Sequence, residues 1–227
     1  MTAKSRARGD STRDALVRTA VEVFGRDGYH ATRTRTIAAE ADVNQALIGF
    51  HFGGKEGLYK AALALVSSGI SENMAPLMEA IRAELSDGRD TFPSQAARLR
   101  YHLPLVHRVT DAFVAIFTSE ESRSWARLIL REQQDPSDAF DEFFEQSIGK
   151  VLTMFAELIG RAQGSSSTDR QVRLTALTIV GQALIFRAAS AGARKFLGHP
   201  FGSKDVAAIQ AVIRRNVEAM LKAGVAA

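Results

Sequence analysis

Between Thr34 and Lys55 the chain gathers side chains suited to gripping a polyanion and reading a base edge. Gln45 carries an amide that can donate to and accept from a base. Thr34, Arg35, His51 and Lys55 carry donors suited to phosphate oxygens. Asn44 stands one residue earlier, as an N-cap whose side chain can accept from an otherwise unpaired backbone N–H. Catalytic groupings do not present themselves. There is no G-x-S-x-G, no H-E-x-x-H and no cysteine, and Glu120-Glu121 and Asp141-Glu142 read as solvated helix-end charges. His102 and His107 are five apart and point to different sides of a helix, a poor metal geometry. No metal site and no cofactor is expected. Gly53-Gly54-Lys55 lacks the earlier Gly, the preceding strand and the following Ser or Thr of a nucleotide-binding loop. Its glycines instead end one helix and open another, whose N-terminus with Lys55 can face a phosphate.

Two short helices must position these groups. The first runs from about Thr34 to Ala41, with Ile37 and Ala38 as its apolar contacts. Asp42 sits at the turn and Val43 plugs the space between the helices. The second runs from Asn44 to about Phe50, with Ile48 inward and Gln45, Ala46, Leu47 and Gly49 near the outward face. A short outward helix on a short support fits a B-DNA major groove. The same pattern also fits any compact helical corner.

Around this pair the apolar spacing is helical throughout, and no segment sustains strand alternation. Residues 1–9, with Lys4, Arg6 and Arg8, read as a flexible basic arm, either an unstructured terminus or a DNA-following tail. Asp10 or Ser11 caps a first helix that reaches Asp27, where Gly28 supplies a left-handed turn. From Lys55 a long helix extends into the eighties, with Pro76 predicting a kink or break. Further helices are expected from Thr91 to Ser119 (bent or broken at Pro104), Glu121 to Gln133, Asp135 to Ala162, Asp169 to Phe196, and Ser203 or Lys204 to Ala223. The expectation is an all-α chain of about nine helices. An N-terminal three-helix helix-turn-helix domain over 10–54 is expected to join a larger helical bundle over 55–227.

The composition is globular: 227 residues, 46% hydrophobic and 24% charged. A net charge of +4 permits nucleic-acid binding without arguing for it. The absence of cysteine rules out disulfides and suits a reducing compartment. The polar N-terminus and the lack of a bilayer-spanning apolar run predict a soluble cytoplasmic protein with no membrane partner. Two function classes remain from the residues alone. One is a DNA-binding regulator; the other is a helical small-molecule-binding protein or enzyme with an incidental helix-turn-helix.

The residue string separates them. Ala20, Phe24, Gly28, Tyr29 and Thr32, then Ile37-Ala38, Val43, Ile48, His51-Phe52, Lys55-Glu56, Leu58 and Tyr59 closely resemble the DNA-binding domain of TetR-family regulators. Phe50 to Tyr59 resembles the CecR-type branch. So, less specifically, do Ala126 to Gln133, Pro136-Ser137, Ala139-Phe140, Gly181-Gln182 and Phe186-Arg187. That resemblance implies DNA contacts at Thr34, Arg35, Gln45, Ala46, Leu47, Gly49, Phe50, His51 and Lys55. Two positions depart from it: Gly49 where relatives often carry Tyr, and Leu47 where they carry Thr or another polar residue. It further implies a repressor that binds a near-palindromic operator in double-stranded DNA as a homodimer and is released by a small-molecule effector, with effector sensing and dimerisation assigned to the bundle over 55–227.

For an effector pocket the candidates are His102, His107, Phe113, Phe117, Trp125, Arg131, Met154, Phe155, Gln182 and Phe186, although for each aromatic residue or Met taken singly ordinary core is the commoner explanation. Arg131 beside Glu132 also reads as a structural ion pair. The homodimer is expected through the last two long helices. Val206, Ile209, Ile213, Val217, Met220 and Leu221 form a stripe on one, and small residues including Ala176, Gly181 and Ala183 line the other.

Overall fold

The structure, a computed structural model, describes residues 3–86, 91–120, 122–199, 201 and 203–223, with the backbone alone for 3–10 and 203. Among the described residues there are eleven helices and no strand. In chain order they are α1 (Ala3–Asp27), α2 (Thr34–Glu40), α3 (Ala46–Phe52), α4 (Lys55–Leu85), α5 (Gln95–Thr118), α6 (Arg123–Gln134), α7 (Phe140–Gln146), α8 (Ile148–Gln163), α9 (Arg170–Ala188), α10 (Ser190–Leu197) and α11 (Ser203–Ala223). No single helix is long and apolar enough to cross a membrane.

The all-α expectation holds, and the differences lie at breaks. Pro76 and Pro104 sit inside α4 and α5, which continue through them. Both prolines are exposed, so the lost N–H falls on the wet side of each helix, while Met74, Ile81, Leu105 and Val106 are buried on the other. Two helices expected to be continuous are divided instead. Ser147 leaves helical geometry at φ −126° and ψ −88° and separates α7 from α8. Its hydroxyl donates to the Phe143 carbonyl at 2.5 Å, beside its own backbone N–H on the same carbonyl at 3.2 Å, a side-chain bond that competes with continuation of the helix. Ala189 separates α9 from α10, which meet at 78°. At the other end, α1 is already helical from Ala3, ahead of the expected cap at Asp10 or Ser11.

The chain forms two compact units that interleave in sequence. The first comprises residues 1–71 and 123–147, and the second 72–122 and 148–227. In the first, α1 buries Leu16, Ala20, Val23 and Phe24. Ile37, Ala38, Ile48, Leu58 and Ala62 complete that core from α2, α3 and α4. α6 packs closely on α1 at Gly25: a Cβ there would lie 3.1 Å from the Ser124 carbonyl oxygen, a tight contact.

In the second unit α5, α8, α9 and α11 surround Val106, Phe113, Phe155, Ile159 and Ile179. Ser94 caps α5 by accepting from the Ala97 N–H at 3.1 Å. The α11 stripe expected at a dimer interface turns inward, because its large side chains fill this unit's own core. Ile209, Ile213, Val217 and Leu221 are buried, as are Ala176 and Ala183 of α9. The faces left outward carry Leu174, Leu177, Gly181 and Ile185 on α9, and Ala208, Val212 and Ala219 on α11.

Candidate nucleic-acid interface

The first unit presents α3 on a frame of backbone turns. α1 ends at Gly28 in the left-handed region (φ +83°), and the Thr32 hydroxyl folds back to the Gly28 carbonyl at 2.6 Å. α2 follows, and the Val43 N–H donates to the Ala38 carbonyl at 3.0 Å across the turn. Asp42 takes the left-handed conformation (φ +53°) that a short polar side chain tolerates. Val43 is half-buried between the helices. Asn44 caps α3: its Oδ1 accepts from the Ala46 N–H at 2.8 Å, and its carbonyl accepts from Leu47 at 3.0 Å. Gly53 ends α3 with φ +71°. Gly57, which the sequence reading did not single out, is needed for the same corner. A Cβ at Gly57 would lie 1.9 Å from the Phe52 carbonyl oxygen.

Ile48 is the one buried residue of α3. Gln45, Ala46, Gly49 and Phe50 are exposed, Phe50 at 81%, while Leu47 and His51 are half-buried. Thr34, Gln45, Ala46, Gly49 and Gly54 line one open depression, where the Gln45 amide donates to the Thr34 hydroxyl at 3.1 Å. Arg35 is exposed on α2. Lys55 is held from behind. Its ammonium donates to the His30 carbonyl at 3.3 Å and lies 4.6 Å from the centre of the Tyr29 ring, and burial lowers its pKa. An ammonium has three donors, so this anchoring leaves others for an anion.

Two further groups hold this frame. Arg26 reaches Glu40 at the end of α2 with bonds of 2.7 and 3.2 Å. Tyr59 donates to the Glu132 carboxylate, and burial followed by that bond pushes its hydroxyl pKa up, so it remains a donor. Glu132, 2% exposed, also accepts from the Ser137 hydroxyl at 2.9 Å. Arg131 does not pair with Glu132. Its guanidinium donates to the carbonyls of Gly25 at 2.9 Å and Arg26 at 2.6 Å, closing the C-terminus of α1.

The residues expected to form an effector pocket do not share one place. Trp125 and Arg131 belong to the first unit, and Arg131 is a helix cap. In the second unit Phe113 stacks on Phe117 at 6.3 Å and meets Phe155 edge-on at 5.3 Å, with Met154 also buried. His102 is buried, its Nδ1 2.9 Å from the Arg98 carbonyl oxygen. His107 Nε2 is buried with no hydrogen-bond partner. No bond joins His107 to Asp111, which instead takes the Arg214 guanidinium at 3.0 and 3.1 Å. Gln182 accepts from Asn216 at 2.9 Å, and Phe186 meets Phe201 at 5.8 Å.

Known proteins are similar to this chain in sequence and in fold. Residues 16–62 match the bacterial regulatory protein family tetR, and residues 105–224 match the C-terminal domain of the HTH-type transcriptional dual regulator CecR. The CecR protein of Shigella flexneri is 29% identical over 180 residues, 79% of this chain and 77% of that one. The repressor NicS of Pseudomonas putida is 33% identical over 89 residues, 39% of this chain and 38% of its own. A TetR-like transcriptional regulator from Rhodococcus sp. RHA1 shares the fold with a TM-score of 0.62, at 20% identity over 95% of this chain and 96% of that one.

Proposed function

Because the chain belongs to the TetR family of transcriptional regulators, in its CecR-like branch, we propose that it represses transcription as a homodimer on a near-palindromic operator and leaves the DNA when a small molecule binds. Regulators, and not enzymes, are what this family contains, which removes the reading of a helical enzyme with an incidental helix-turn-helix. The observation that carries the proposal is the exposure of α3. Its sole buried residue is Ile48, while Gln45, Ala46, Gly49 and Phe50 face outward.

Seated in a major groove, Gln45 exchanges its bond to Thr34 for the edge of a base, adenine by preference. The freed Thr34 hydroxyl, with Arg35, His51 and the remaining Lys55 donors, takes phosphates. Asn44 holds the start of α3, and Ala46, Leu47 and Phe50 offer apolar contact to thymine methyls. Gly49 leaves the groove open beside them. A second copy docks on the outward faces of α9 and α11, where Leu177 is 54% exposed, Ile185 53% and Val212 46%. The effector binds the second unit and must prefer the DNA-incompetent state, since equal affinity for both states would shift nothing. Repression follows from a dimer that occludes a promoter in the cytoplasm. The Shigella flexneri relative is named a dual regulator, so the test reads both signs.

Selection from a genomic fragment library tests the reading. Wild type enriches discrete fragments with steep salt dependence. Gln45→Ala/Lys55→Ala loses affinity for them by roughly 30-fold or more, each good base contact being worth about 1–3 kcal/mol. Transcription from an enriched promoter rises when the gene is deleted. A library with no enriched fragment defeats the proposal, and transcription that falls on deletion reverses its sign.

A further inference from the structure

α6 lies far along the chain from the helix-turn-helix, in the stretch that matches a C-terminal domain, and yet it belongs to the DNA-reading unit. Two consecutive side chains on it bind two different helices of that unit, α1 and α4. Arg131 binds the last-turn carbonyls of α1, and its guanidinium would sit 3.1 Å from any Cβ at Gly28. The helix end it closes carries Arg26, whose side chain holds Glu40 at the end of α2. Glu132 binds the Tyr59 hydroxyl on α4. Tyr59 packs against Phe24 and Tyr29 at 4.8 and 4.6 Å, and Tyr29 supports Lys55. The chain is therefore pinned just before α2 and just after α3 by neighbours on one helical turn.

Burial of a carboxylate is an inefficient way to stabilise a fold, since an apolar pair of the same volume does as well or better. Directional bonds from Tyr59 and Ser137 fix an orientation, which an apolar pair does not.

We propose that Arg131 and Glu132 are positioning residues for DNA recognition: they set the angle at which α2 and α3 are presented, without touching DNA. This rests on the DNA-binding reading above. The two residues act through α1 and through Tyr59, so their loss weakens discrimination more than it weakens general attraction to phosphate.

The test uses the full chain and three variants. Glu132→Gln keeps an acceptor for Tyr59 and retains operator binding, because the Ser137 hydroxyl can turn to accept from the new amide. Tyr59→Phe/Glu132→Met removes the buried donor and acceptor together, and the half-buried Ser137, which also donates to Glu132, can turn to water, so its melting temperature stays near that of wild type. Its ratio of operator to random-DNA affinity nonetheless falls by roughly tenfold, equivalent to about 1.4 kcal/mol. Arg131→Met lowers the same ratio. Amide hydrogen exchange on the DNA-free proteins provides a second readout, with faster exchange across residues 34–52 in the double variant at full global stability. A double variant with wild-type discrimination and wild-type exchange overturns the proposal. If wild type itself selects no DNA, the DNA-binding reading fails separately. Exchange then still decides whether the pair orders this segment, and unchanged protection refutes it.

Discussion

At the scale of single residues, local roles are readable from the chain and distant ones are not. Asn44 announces a cap because its partner is two residues away, and the bond to the Ala46 N–H follows. Arg131 gives no such signal. Its partners Gly25 and Arg26 lie 106 and 105 positions earlier, so a charged neighbour at Glu132 invites the wrong pairing. Gly57 falls between, since a glycine in the first turn of a helix is a hint without a partner until the Phe52 carbonyl is seen beside it. His107 shows the same limit, and its setting has a measurable consequence. Burial lowers its pKa from the ordinary 6.5, opposed first by the Arg214 backbone and more weakly by Asp111 and Glu218, while the charge of Arg214 adds to the lowering. The unfolded chain therefore holds a proton that the folded one lacks in the window just below 6.5, and stability falls as pH falls through it. Thermal melts between about pH 7.5 and about pH 5.5 should show a steeper acid loss in wild type than in His107→Gln. Parallel curves would mean that His107 does not titrate differently on folding.

At the scale of elements, periodicity located the helices, because apolar faces at i, i+3 and i+4 survive in any packing. It failed at the breaks. Ser147 and Ala189 are not helix breakers by type, so the divisions come from the fold; Pro76 and Pro104 are breakers by type but sit on wet faces. The α11 stripe was visible in the sequence, and only packing tells whether such a stripe meets its own chain or another. The crossing of α1 and α6 is the element contact with the clearest mutational consequence. Gly25→Ala inserts a methyl 3.1 Å from the Ser124 carbonyl oxygen and 3.3 Å from Arg127 Cβ. Overpacking against a backbone carbonyl held by α6 costs about 1–3 kcal/mol, against about 1 kcal/mol gained by replacing a helical glycine, so denaturant titration should read a midpoint no higher than that of wild type at unchanged slope. A midpoint raised by the full helix-propensity gain would show that α6 does not pack on α1 this closely.

At the scale of the whole molecule, the chain is two units threaded through each other in sequence, with 123–147 returning to the unit that holds α3. A linear reading places one boundary after Gly54 because the helix-turn-helix ends there, and no local signal marks the return of α6. In the homodimer proposed above, with a second copy on the outward faces of α9 and α11, a two-fold pair would present two α3 helices to successive major grooves about 34 Å apart.

Hydroxyl-radical footprinting on a selected fragment tests that arrangement most directly. The account predicts two protected patches on one face of the duplex, centred about one helical turn apart or a multiple of it, related by near-palindromic sequence and both lost in Gln45→Ala/Lys55→Ala. A single patch, or continuous protection indifferent to sequence, would contradict a dimeric regulator that reads DNA through α3.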